Sequence, residues 1–351
     1  MRVVADLDNK YPLPHAYVER AVFAEVMAHA GLYHDGSTGF LEERYPNDKI
    51  SRVLLNRANV DLSTTGNQVA LADAALRSFL VSLAPESAAA ELIRRGVPVN
   101  VGRASVATFP FRTGAPVAAP WVEEGEPIPV VSRTLDGVTI GPTKKIALIS
   151  AITRELAKRA DGEAVVTRIL REDVAAGLDA AYFSTAAASD AANAGLLNGL
   201  SPLSGMSGGD ALGMAADLEA LAAAVSANGS GQVVFIMSPT NFARLPIRVP
   251  EIAARITALP SQAVANTRII AADPASILHS TDPAPEIMVS RHTTIHMSDT
   301  PLEIVSDTGP TTADPVRSMF QTDGIAIRII AEIAFAKRRA DAVAYIDNAS
   351  W

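Results

Sequence analysis

The sequence predicts an α+β protein, and three observations carry that prediction. Asp161 to Thr185 reads as one long helix, Gly324 to Lys337 reads as one long strand, and between them helices alternate with short apolar strands from Asp210 to about Thr300. In the helix, Val165, Val166, Ile169, Leu170, Val174, Leu178, Ala181 and Tyr182 recur at three- and four-residue steps, which gathers them on one face. Asp161 is the expected N-cap, and Arg168, Arg171, Glu172 and Asp179 are assigned to the opposite, solvated face. At 1.5 Å per residue such a helix is roughly 35 Å long. In the strand, Ile325, Ile327, Ile329, Ile333 and Phe335 alternate with a face that includes Arg328 and Glu332, and the extended rise gives about 45 Å.

The rest of the chain follows in order. Ala16 to Leu32 has helical spacing closed by Gly31, Asp35 to Gly39 is turn-rich, and a short helix follows in SRVLLNRANV. Gln68 to Leu83 and Ser87 to Arg95 read as two more helices, the second ended by Gly96. Small helices with long polar joints read as an arm laid on other surfaces. From Val99 to Phe111 the residues alternate as in a strand, and Pro and Gly then crowd the chain. Between Trp121 and Lys145 the pattern is that of a projecting hairpin with its turn at Asp136-Gly137. Ile146 to Ile152 continues as a strand, and Thr153 to Arg159 turns helical.

Composition narrows the function. The chain has 351 residues, 48% hydrophobic, and a formal charge of −8, which argues against a protein whose task is to grip a phosphate backbone with clustered Lys and Arg. With no cysteine there is no disulfide, thiolate nucleophile or Cys-ligated zinc. No run approaches 18 apolar residues, and the start lacks the apolar core of a secretion signal, so the expectation is a protein made in the cytoplasm.

The constellations that could carry chemistry are thin. Gly205-Met206-Ser207-Gly208-Gly209 satisfies G-x-S-x-G and makes a serine hydrolase using Ser207 a competing reading, but LLNGLSPLS before it is a loop where an elbow needs a strand. His292 and His296 share a strand face with no third ligand, and His29 and His34 straddle a helix end. Glu123, Glu124 and Glu126 crowd beside Trp121 in a solvated joint, which suits a contact surface better than acid-base work. The expectation is no catalytic residue, no cofactor and no metal.

The order WVEEGEPIPV, a polar hairpin ending in Lys144-Lys145, IALISAITREL, a long helix ending DAAYFST, AGLLNGLSP, then VVFIMSPTNFARL and IAEIAFAKRRADAVAYI is similar to that of tailed-phage major capsid proteins of the Hong Kong 97 type. The resemblance covers roughly Ala115 to Ile346. It implies an N-terminal arm over 1–114, an extended loop over 115–146, a peripheral domain over 147–198 and 301–351 with a spine helix at 161–185, and an axial domain over 199–300. It further implies pentamers and hexamers that form an icosahedral shell around DNA in a virion, assembled in the host cytoplasm, with a portal, a scaffold or maturation protease and decoration proteins as partners. An encapsulin-like nanocompartment shell is the competing reading within the fold. The expected subunit contacts are Trp121, Glu123, Glu124, Glu126, Arg133, Lys144, Lys145, Arg168, Arg171 and Glu172. In the prototype a lysine of the extended loop joins an asparagine near the start of the last long strand. Gly137 and Asp323 stand near those positions here, so no such bond is expected.

Overall fold

The computed structural model describes residues 16–31, 35–46, 48–56, 83, 87–99, 101, 106–112, 121–125, 130, 135–158, 162–206, 208–227, 229–281, 286–297, 305–306, 309–310 and 316–351. The chain divides into two compact units: 1–83, 145–174 and 282–332 form the first, and 84–144, 175–281 and 333–351 the second. Gly162–Tyr182 and Gly324–Lys337 each contribute residues to both.

In the first unit the helix Ala16–His29 buries Val18, Val22 and Val26, and the chain then turns at Gly31 with φ 66°. Val22, Val26 and Ala30 meet Ile152, Leu170, Val289, Ile325, Ile327 and Ile329 in one apolar cluster. Ile325, Ile327 and Ile329 bring one face of the long strand to that cluster, the face the alternation predicts. Glu286–Ser290 pairs with it antiparallel, from Ala326 opposite Ser290 to Ile330 opposite Glu286. Lys144–Thr153 also pairs with the long strand, and leads into the short helix Arg154–Lys158. Gly36–Arg44, read from sequence as turn-rich, is a helix. Its N-cap Asp35 makes no side-chain capping bond, so propensity does not hold it. Burial does: Phe40 and Leu41 are buried, and the Phe40 ring stands edge-on to Phe23 at 5.8 Å. The helix Lys49–Asn56 completes this arm, anchored by Asp48, which accepts from Ser51 and Arg20. The helix expected at Gln68–Leu83 lies outside the described residues apart from Leu83, which is buried.

The second unit is built on a four-stranded sheet in the order Val343–Ile346, Ile269–Ala272, Val234–Met237, Thr257–Pro260, antiparallel except for the last pair. Val234–Met237 is wholly buried, so it carries an unbroken apolar run. The helix Ala211–Ser226 starts at Asp210, whose carboxylate caps Gly213, and lays Met214, Leu218, Leu221 and Val225 on the sheet. Ser238 caps Pro239–Arg248 in the same way, with Pro at the first turn where its missing N–H costs nothing. Val97–Pro98 runs parallel to Ile277–Thr281, which pairs antiparallel with the end of the long strand.

The hairpin of this unit is not the one expected between Trp121 and Lys145, because Leu135–Ile140 pairs with an earlier strand and Lys144–Thr153 pairs with the long strand. Its strands are Ala107–Arg112 and Leu135–Ile140, antiparallel, with Phe111 opposite Asp136 and Pro110 opposite Gly137. Asp136-Gly137 is therefore mid-strand, and the connection is the longer stretch 113–134. The glycine is needed because a Cβ at 137 would stand 2.7 Å from the Thr108 methyl across the ladder. Among the described residues no helix is long and apolar enough to cross a membrane.

Candidate interface

Most candidate residues lie on or beside the hairpin. At its base Phe109 and Val138 pack on a cluster of Val101, Ile140, Leu278 and Ala334, so this end is seated. Further along, large apolar side chains face solvent: Val106, Trp121, Val130 and Leu135 are all exposed, Trp121 and Val130 completely. The second tryptophan behaves oppositely. Trp351 is buried and its indole N–H donates to Asp217 at 2.7 Å. The Trp121 indole is uncovered among the described residues, and a large exposed aromatic is the kind of surface that suits a contact.

Glu123 and Glu124 are exposed beside Trp121, while Glu126 and Arg133 lie outside the described residues. Lys144 donates to the Asp190 carbonyl at 2.7 Å, and Lys145 is exposed. The long helix carries the remaining three. Arg168 and Glu172 pair with each other at 2.8 Å on its exposed side, an ordinary i,i+4 surface bridge. Arg171 is half-buried and holds Glu19 of the arm helix at 2.9 Å, an internal tie in the first unit.

The long helix also yields a residue that sequence reasoning misplaced. Asp179 was assigned to the solvated face, yet it is 3% exposed. Its carboxylate accepts from Ser87 Oγ and Ser261 Oγ, both at 2.5 Å, and from the backbone N–H groups of Ala88 and Ala89. It thus sits at the N-terminus of Ala88–Arg95, where orphan amides and the helix dipole favour an anion. The signal was weak but real: Asp179 falls one turn from Ala175 and beside Leu178 and Tyr182, all buried. Conversely Ile169 and Ala181, placed on the apolar face, are exposed.

Charges in the interior are tied structurally. Glu91 accepts from Arg94 and Arg95, and the Arg94 bonds hold its carboxyl below the usual range against the opposing effect of burial. In the first unit Glu25 bonds His29 one helical turn on and raises the imidazole above its ordinary value. Burial alone pushes the Lys337 amine down while it donates to the Leu196 and Asn198 carbonyls. Each of these groups is bonded within its own unit.

Ser207 and His34 lie outside the described residues. His29 is taken up by Glu25, and the His292 ring packs at 6.1 Å from Phe320. Among the described residues no group of three or more His, Cys, Asp or Glu could hold a metal ion.

Part of the chain matches a known protein family. The phage capsid family matches residues 80–246, which span the hairpin, the long helix and the helix Ala211–Ser226. No curated relative matches the chain. Among solved structures, a chain from Microbacterium phage Oxtober96 is similar over 74% of this chain and 90% of that one, at 14% identity and TM-score 0.49. One from Mycobacterium phage Adephagia covers 73% and 88%, at 14% identity and TM-score 0.45. A capsid of an empty GTA particle computed with C5 symmetry covers 74% and 90%, at 13% identity and TM-score 0.46.

Proposed function

We propose that this chain is a phage capsid family protein of the Hong Kong 97-like type, the major shell subunit of a virion, and that it closes into an icosahedral capsid as pentamers and hexamers around packaged DNA. The observation that carries the reading is the family match across a hairpin that leaves Trp121, Val130 and Leu135 uncovered. Shells are held by many contacts of modest strength: a standard specific interface buries about 1,600 Å² in total, and closure adds avidity without new chemistry. A seated hairpin base with a bare apolar stretch beyond it supplies one such contact. Closed internal ion networks keep each copy's shape constant, so that identical surfaces repeat. The charge of −8 suits a wall that encloses nucleic acid without gripping it. The chain has no catalytic task in this reading. A portal, a scaffold or maturation protease and decoration proteins are the partners such a shell needs, and assembly in the host cytoplasm accords with a chain free of cysteine.

The shell forms without covalent links between copies. Gly137 is locked between strands and Asp323 sits in a left-handed turn at φ 48° before the long strand; neither side chain offers the amine or amide of an isopeptide bond. Sedimentation of the expressed protein is expected to give large closed particles whose subunits run as single chains after boiling in detergent. A species that sediments only as a monomer contradicts the shell, and a boiled ladder contradicts the absence of links.

A further inference from the structure

The second unit contains a groove of about 560 Å³ beside the four-stranded sheet, within the size range of roughly 300–1,000 Å³ typical of pockets that hold a compact side group. Leu218 and Phe235 form its apolar floor and Ile256 its wall. Arg95 and Arg255 stand on its lining, and Glu219 rises from the exposed side of the helix Ala211–Ser226. None of the described residues of this unit fills it. The chain carries one described segment of complementary character. Trp121 is fully exposed, Val122 follows it, and the exposed carboxylates Glu123 and Glu124 come next.

We propose that this groove is the seat for Trp121–Glu124 of a second copy of the chain. The indole enters over Leu218 and Phe235, with Glu219 as acceptor for its N–H, since a buried tryptophan needs one. Glu123 and Glu124 then face Arg95 and Arg255. Arg95 already gives its Nε to Glu91 at 2.5 Å, which orients the guanidinium, while Arg255 is exposed. Charge pairing at a rim of this kind sets partner and register, and the buried aromatic supplies the affinity. Because groove and segment are different patches, the contact is head-to-tail and propagates around a ring. This deepens the shell reading and rests on it.

The absence of cysteine makes the test clean. Assembled particles of the double variant Glu124→Cys, Arg255→Cys are treated with a short bismaleimide and run on denaturing gels, beside particles of each single variant. A ladder of dimers, trimers and longer chains in the double variant, with no ladder in either single variant, is expected. Double-variant particles that remain single chains overturn the proposal while leaving the shell itself standing. A second arm uses charge: Arg255→Glu reduces particle yield at least tenfold, and adding Glu123→Arg and Glu124→Arg restores it. Wild-type yield from Arg255→Glu alone also overturns the contact. If the unmodified chain forms no particles, the shell reading has failed first.

Discussion

Asp179 and Tyr182 stand one turn apart on the long helix and are both buried, but they contribute to stability in opposite ways. Asp179 satisfies two hydroxyls and two backbone amides, so Asp179→Ala leaves those donors without an acceptor and is expected to cost about 3 kcal/mol, read as a lowered urea midpoint. The Tyr182 hydroxyl has no hydrogen-bond partner among the described residues, and burial drives its pKa upward. Tyr182→Phe removes an unmet polar group and keeps the ring packed at 4.3 Å on Phe335, so stability is expected to stay level or rise by up to about 1 kcal/mol. A loss above 1 kcal/mol in Tyr182→Phe would mean the hydroxyl has a partner after all. At this scale the sequence was half legible. Tyr182 was placed on the buried face by its spacing. Asp179 was not, because a carboxylate in a helical pattern reads as solvated until its partners, about 90 residues away in the chain, are known.

Elements were easier to read than partners. The long strand was found with its bounds because fourteen residues alternate without a Pro or an interior Gly, and the long helix because its stripe runs through several turns. The hairpin expected wholly within Trp121–Lys145 has both the wrong turn and the wrong partner, since Leu135–Ile140 pairs with Ala107–Arg112, which reads in the sequence as a separate strand. Asp-Gly is the commonest short-turn signal, and here the glycine serves instead to admit the Thr108 methyl across the ladder. Gly36–Arg44 was missed since its helicity comes from tertiary burial of Phe40 and Leu41. The helix Ala88–Arg95 gives an element-level prediction. Glu91 is bonded to Arg94 and Arg95, which lowers its pKa in the folded state. Its contribution is therefore fully present above the ordinary glutamate pKa and is lost as pH falls through the depressed folded value. Acid titration of the wild type is expected to show that loss, and Glu91→Gln to flatten it; identical acid profiles would remove Glu91 from the account.

For the whole molecule, the α+β class was legible from the long helix and the long strand, and the phage capsid family model matches residues 80–246, the stretch that holds the long helix and the segments up to VVFIMSPTNFARL. The surfaces were less legible. Arg171 read as an outward charge and is spent on Glu19, whereas the groove between Leu218 and Ile256 leaves no mark in the sequence, as its residues come from three separate segments. Trp121 joins the scales: its bare indole is the surface on which the proposed contact between copies rests. Electron microscopy of the purified, expressed protein tests that claim most directly. Closed hollow particles of uniform diameter, lost in Trp121→Ala while its circular dichroism spectrum is unchanged, are the predicted result; a field of dispersed single subunits from the wild type would contradict it.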